Sequence, residues 1–317
     1  MIGVFLALVG ATAFSFMNIL IRLGSRYGTR DNGLRATLIV NVVVFTVLLA
    51  VLTAVGRGIT LSAEGVGAFA LAGLFATFVG RYTLFAAIGR IGAARATAIK
   101  NATPLVSVSL AIGFLGEVLS LLAALGMALV MLGLCLLLRE VRTHRTAGEG
   151  LDEQLPEAGA ARAMRVARPG RHELLAGVAM AGAAALAFGT GHAFRKVGID
   201  VLPDPVLGAT IGSWVALVVS LGLSGIRGEL GGFVTVVGSF RSSFWLAGAA
   251  GAAGQLCFFS ALVFAPLSHV AVVAASETVI TALLAALLIR HAERVTRQVI
   301  LPAVLVFGGS ALIAIAP

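Results

Sequence analysis

Long apolar stretches alternate with short polar segments along almost the whole chain. A helix needs about 20 mostly apolar residues to cross a bilayer, and ten stretches are close to this length. The predicted spans, numbered 1 to 10, cover residues 2–23, 34–55, 66–88, 92–115, 119–138, 174–197, 204–224, 244–264, 268–289 and 298–316. This pattern predicts an all-α, polytopic membrane protein with ten transmembrane helices.

Composition supports the membrane prediction and argues against a nucleic-acid-binding protein. Of the 317 residues, 59% are apolar and only 12% are charged, whereas a soluble domain carries about 25% charged residues. The net charge of +9 comes mainly from arginines at the ends of apolar stretches, where topology selection places them. We therefore expect membrane lipids, and no nucleic acid, as the partners of the basic residues.

One long polar segment, 139–173, separates two apolar domains, 1–138 and 174–317. Its mixture of charge, Gly, Ala and Pro is typical of a solvated linker. The spacing of three between Arg162, Arg165, Arg168 and Arg171 would also suit a short helix lying on anionic lipid. In either case each apolar domain holds five predicted spans.

The two halves align with each other at a nearly constant offset, which indicates an internal duplication. The matched pairs are Phe14 with Phe188, Gly24 with Gly198 and Gly80 with Gly254 at an offset of 174, and Glu117 with Glu293 and Gly133 with Gly309 at an offset of 176. Because five spans per copy is an odd number, the second copy must enter the membrane from the opposite side. The sequence thus predicts two inverted five-helix repeats, an arrangement that many secondary transporters use.

Positive charge is concentrated in the odd-numbered loops. Loops 1, 3, 5, 7 and 9 hold eighteen arginines and lysines, whereas loops 2, 4, 6 and 8 hold three, assigned as Arg57, Arg195 and Lys196. The positive-inside rule then predicts odd loops in the cytoplasm and both termini outside, in a plasma or inner membrane.

A group of short motifs in the first half resembles the EamA domain of the drug/metabolite transporter superfamily. The motifs are the segment Arg95–Val106, with Pro104 near its end, then Phe114-Leu-Gly-Glu117, and then Gly126 and Gly133. In the second half Thr278 stands where the first has Pro104, and Ala292 rather than Gly precedes Glu293.

This resemblance implies a ten-helix bundle with a central cavity lined mainly by helices 1, 3, 4, 6, 8 and 9. It implies export or exchange of small metabolites, coupled to a proton gradient or to a counter-substrate, without a cofactor. It also implies cytoplasmic termini, which conflicts with the charge distribution; we follow the charge distribution.

Two ionisable residues inside spans are candidates for the solute site, because such groups usually line a cavity. Glu277 lies near the middle of span 9, and Lys100 lies in span 4 beside Asn101. We hypothesise that Glu277 and Lys100 pair in the empty site and exchange with a charged or zwitterionic solute. Alternatively, Glu277 is a structural hydrogen-bonding group, and Lys100 extends toward the membrane interface.

Two further pairs are polar at the same depth in both halves, each at the offset of 174. Asn18 aligns with His192, and Arg81 aligns with Gln255. His192 could assist proton coupling, and Arg81 could bind a carboxylate or phosphate. The alternatives are a buried histidine satisfied by a backbone carbonyl and an arginine paired with a loop acid.

These features together favour a secondary transporter of a small polar metabolite over other membrane functions. The sequence contains no G-x-S-x-G or H-E-x-x-H motif and no histidine spacing suited to a metal, which argues against an intramembrane enzyme. It also contains no P-loop. A lipid scramblase or a non-catalytic membrane scaffold remains the alternative.

Overall fold

The computed structural model describes residues 1–24, 30–91, 96, 99–148, 171–238, 242–288 and 300–316. Every regular element in these ranges is helical. The predicted linker lies outside them from residue 149 to residue 170, as does Glu293. The helix of span 5 continues into the predicted linker as far as Gly148.

The first half contains α1 (Ile2–Gly24), α2 (Arg30–Ala54), α3 (Ala63–Ala72), a π-helical segment (Gly73–Val79), α4 (Gly80–Ile91), α5 (Thr103–Leu115) and α6 (Leu121–Gly148). The second half contains α7 (Arg171–Val201), α8 (Pro205–Ile226), α9 (Gly231–Gly238), α10 (Ser242–Phe264), α11 (Leu267–Ala274), α12 (Glu277–Leu288) and α13 (Ile300–Ile315). Every predicted span thus contains at least one apolar helix.

Six helical segments in the described ranges are long and apolar enough to cross a membrane, and they correspond to spans 1, 2, 3, 6, 7 and 8. Spans 4, 5, 9 and 10 contain shorter apolar helices, namely Thr103–Leu115, Leu121–Leu136, Leu267–Thr281 and Leu301–Ile315. Large apolar side chains remain exposed on many of these helices, including Phe5, Val47 and Val218. Such a surface suits lipid rather than water, as expected for a multi-pass membrane protein.

Each helix of the first half packs on a helix of the second half, and the pairings are reciprocal. Span 1 (α1) packs on span 8 (α10), and span 6 (α7) packs on span 3 (α3, the π-helical segment and α4). Span 2 packs on its counterpart span 7, and span 5 packs on its counterpart span 10. This is the pattern expected when two copies of one unit face each other.

Spans 5 and 10 cross where small residues let their backbones touch. A Cβ atom added to Gly126 would lie 2.7 Å from the backbone oxygen of Gly309, and one added to Gly133 would lie 2.8 Å from that of Pro302. At the offset of 176, Gly126 corresponds to Pro302 and Gly133 to Gly309. The two contacts are therefore equivalent, and the two helices run antiparallel.

The chain breaks its helix at the same place in spans 4 and 9. Residues 101–102 form a turn before α5, and residues 275–276 form a turn before α12. Pro104, in the first turn of α5, favours a helix start there. The aligned residue in the second half is Thr278. The helix break is therefore present in the second half although the proline is not.

Glu117 has a structural role at the start of a helix in the other half. Its Oε1 accepts a hydrogen bond from the backbone N–H of Leu267 at 2.6 Å, and its Oε2 accepts one from Ser268 at 3.0 Å. The carboxylate thus caps the N-terminus of α11 in the other half, rather than that of the following helix α6. A carboxylate is favourable there because the unpaired N–H groups carry partial positive charge.

Candidate functional site

A cavity of about 220 Å³ lies between the two helix breaks. It is bounded by α1, α2, the π-helical segment, α4, α5, α7, α10, α11 and α12. Its wall includes all seven residues predicted from the sequence: Asn18, Arg81, Lys100, Asn101, His192, Gln255 and Glu277. The expected helices 1, 3, 4, 6, 8 and 9 all contribute, and span 2 adds Leu34 and Thr37.

Glu277 is held by span 1. As the first residue of α12, it accepts a hydrogen bond at Oε1 from Asn18 Nδ2 at 2.7 Å. Its backbone oxygen accepts a second hydrogen bond from Ser15 Oγ at 2.9 Å. The second helix break is therefore attached to α1 through a side chain and through the backbone.

Lys100 does not pair with Glu277 as we hypothesised; within the described part of the chain the structure places no ion pair between them. The Lys100 Nζ atom lies 5.4 Å from the centre of the Phe188 ring. Asn18 occupies one carboxylate oxygen of Glu277 instead. Lys100 lines the cavity, so it does not extend to the interface either.

The two helix breaks contact each other directly. Thr278 Oγ1 donates a hydrogen bond to Asn101 Oδ1 at 3.4 Å. The Nδ2 atom of Asn101 is buried and has no hydrogen-bond partner in the described ranges. An unsatisfied buried amide is unfavourable, so this donor is available to a bound solute.

His192 and Gln255 connect the cavity to neighbouring helices. The His192 Nδ1 atom lies 3.4 Å from Ser107 Oγ, and its ring centre lies 4.6 Å from that of Phe258. Gln255 accepts a hydrogen bond from Asn41 and donates one to Ser213, each at 3.3 Å. Gln255 is thus fixed by spans 2 and 7, whereas Asn18 has its contact on span 9.

The cavity has two aromatic walls that are related by the repeat. A Cβ atom added to Gly254 would lie 3.0 Å from the Phe14 ring, and one added to Gly80 would lie 3.1 Å from the Phe188 ring. Phe14 therefore packs with its ring face against Gly254, and Phe188 packs in the same way against Gly80. Both glycines thus have a packing role, because a side chain there would crowd the ring.

The cavity lies toward one end of the bundle. Its lining continues along α1 to Ile21 and includes Leu34 and Leu84, all near loops 1 and 3. Toward the other end, Phe259, Leu262 and Leu267 are almost fully buried. The lining of the cavity thus extends from the helix breaks toward the end of α1 and the start of α2.

Comparison with known proteins finds a family match in the first part of the chain. Residues 1–139 match the model of the EamA-like transporter family. The match confirms the resemblance carried by Arg95–Val106 and by Glu117, and it supports a membrane transporter role for this multi-pass protein.

A solved structure shares the fold of this chain over its whole length. One crystal structure is similar over 98% of this chain and 98% of its own, with a TM-score of 0.63 and 18% sequence identity. At this identity the similarity bears on the fold alone. By sequence, the chain matches no curated protein.

One residue of the cavity, Arg195, was not predicted from the sequence. Arg195 was assigned to loop 6, but α7 continues to Val201 and Arg195 lines the cavity with only 6% of its surface exposed. Its guanidinium carbon lies 5.4 Å from the Phe258 ring centre and 5.0 Å from that of Phe259. Helical spacing could have found it, because residues 188, 192 and 195 share one helix face.

Proposed function

We propose that the chain is a secondary transporter that exports or exchanges a small polar metabolite by alternating access around this cavity. The observation that carries the proposal is the meeting of polar side chains from both halves at two aligned helix breaks. Discontinuous helices at mid-membrane depth commonly form the solute sites of transporters. The transporter family of residues 1–139 supports the same function.

Alternating access requires two packings of similar free energy, and an inverted repeat would provide them. We propose ten membrane crossings in two inverted five-helix units. The antiparallel crossing of α6 and α13 supports this proposal, as do the reciprocal pairs of spans 1 with 8 and 6 with 3. Exchanging the two halves' conformations would then seal the end near loops 1 and 3 and open the other.

The hydrogen bond between Asn18 and Glu277 is the contact that we expect a bound solute to break first. A polar solute that displaces the Asn18 amide from Glu277 would release one of the two hydrogen bonds that attach α1 to the second helix break. Because α1 and α10 form one of the two reciprocal pairs, this release would favour movement of that pair. A proton or a counter-substrate would restore the contact on the return step.

Transport by reconstituted protein tests the proposal. We expect Glu277→Gln and Lys100→Ala each to reduce counterflow of a radiolabelled metabolite panel in proteoliposomes by about tenfold or more, since each removes a charge-assisted contact. Lys196→Ala is the matched control, because Lys196 lies on the same helix as Arg195 but pairs with Asp200 at 2.6 Å. Near-normal counterflow by both cavity variants would remove the proposed role of these residues.

The same vesicles separate the alternative functions. Redistribution of a fluorescent lipid between leaflets, without solute counterflow, would indicate a scramblase. Neither activity in folded protein would indicate a scaffold.

A further inference from the structure

The cavity is cationic. Its described wall contains three basic residues, Arg81, Lys100 and Arg195, and one acidic residue, Glu277. With histidine counted as neutral, the formal net charge of this part of the wall is +2. Charged groups removed from water are strongly destabilising unless opposite charge accompanies them.

The three cations are poorly compensated by the described residues. Lys100 faces the Phe188 ring, and Arg195 faces two phenylalanine rings. Arg195 Nε is buried and has no hydrogen-bond partner within the described ranges. Glu277 acts electrostatically on Arg81, but one carboxylate cannot balance all three groups.

The three cations also share one space. Arg81 lies on α4, Lys100 lies just before α5 and Arg195 lies on α7, and all three line the cavity. Three mutually repelling groups in one cavity are best stabilised by an anion that contacts more than one of them. Arginine and lysine donors are well suited to carboxylate and phosphate oxygens.

We propose that the cavity binds a small organic dianion, a dicarboxylate or a phosphate monoester. The proposal rests on the proposed transport function and specifies its solute class. Two negative charges match the net charge of the described wall. The carbon part of the solute would contact Phe14, Phe188 and Phe258, and a cavity of about 220 Å³ limits it to a small molecule.

Binding by the purified full-length chain tests the charge preference. The probes are succinate and glycerol 3-phosphate, with the neutral analogues succinamide and glycerol and the cation putrescine as comparisons, all at constant ionic strength. A ligand that binds the folded state raises the melting temperature by mass action. We expect at least one dianion to raise it and the neutral and cationic probes to leave it unchanged.

Variants locate the binding in this cavity. Arg195→Gln should weaken dianion binding by about ten- to a hundredfold, because it removes one charge-assisted contact. Lys100→Gln should act in the same direction, and it provides a second cavity variant if Arg195→Gln does not fold. Lys196→Gln, on the same helix outside the cavity, should bind the dianion as the unaltered chain does.

The outcomes are distinct. The proposal would be overturned if neither dianion raised the melting temperature, or if only the neutral or cationic probes did. It would also be overturned if folded Arg195→Gln and Lys100→Gln bound the dianion as the unaltered chain does. Counterflow of a neutral or cationic solute without dianion binding would overturn it while the transport function stands. Dianion binding without flux would support the anion site and contradict the transport function.

Discussion

Replacing Gly309 by valine should destabilise the protein by about 3 kcal/mol or more, whereas the same replacement at Gly308 should leave stability nearly unchanged. The two glycines are adjacent on α13 and face opposite environments. A Cβ atom added to Gly309 would lie 2.5 Å from the backbone oxygen of Gly126 and 2.9 Å from a methyl carbon of Val130. Nothing lies within 4 Å of a Cβ atom added to Gly308.

The size of the effect follows from what the new side chain would meet. A flexible side chain can move aside, but the Gly126 oxygen belongs to the backbone of α6. The two helices would therefore have to separate along their crossing, which also includes the Gly133–Pro302 contact. Gly308 faces open space at the lipid side, and valine has a helix propensity no worse than that of glycine.

Thermal unfolding of the purified variants in detergent measures the difference. We expect a large drop in melting temperature for Gly309→Val and little change for Gly308→Val. Gly126→Ala should also destabilise, since its Cβ atom would lie 2.7 Å from the Gly309 oxygen. Equal melting temperatures for Gly308→Val and Gly309→Val would contradict the crossing.

Replacing Glu117 by alanine should cost about 3 kcal/mol, because two charge-assisted hydrogen bonds are lost together. The N–H groups of Leu267 and Ser268 would then have no partner at the start of α11. Glu117→Gln retains one carbonyl oxygen that can accept one of these hydrogen bonds. We therefore expect roughly half the loss for Glu117→Gln.

Glu64 provides the control for this series. It lies in the first turn of α3, where Ser62 is the N-cap, and it is exposed. An exposed acidic residue at a helix N-terminus contributes about 0.3–1 kcal/mol. In thermal unfolding we expect stability to fall in the order unaltered chain, Glu64→Ala, Glu117→Gln and Glu117→Ala. If Glu117→Ala were as stable as Glu64→Ala, the cap would contribute little.

The positions of the apolar helices were predictable because the requirement that produces them is local. A segment in lipid must satisfy its own backbone hydrogen bonds and present apolar side chains, and both demands are visible in consecutive residues. The long helices of spans 1, 2, 3, 6, 7 and 8 follow this rule. Spans 4 and 9 gave shorter helices than expected, because turns at residues 101–102 and 275–276 interrupt them.

Four members of the cavity were predictable because the offset of 174 pairs them as polar residues in the two halves. Asn18 with His192 and Arg81 with Gln255 are aligned pairs, and all four line the cavity. Arg195 was missed because it was counted with loop 6, although the predicted span 6 extends to residue 197. The guanidinium is in fact stabilised against two phenylalanine rings from span 8.

The sequence by itself determined that apolar helices fill both halves, and it predicted which polar residues line one cavity. Only the tertiary structure decided which of these residues touch. Glu277 bonds Asn18 rather than Lys100, and Glu117 caps α11 rather than α6. The reason is physical: hydropathy and helical period act over a few residues of chain, whereas a hydrogen bond between residues 259 positions apart depends on how entire helices pack.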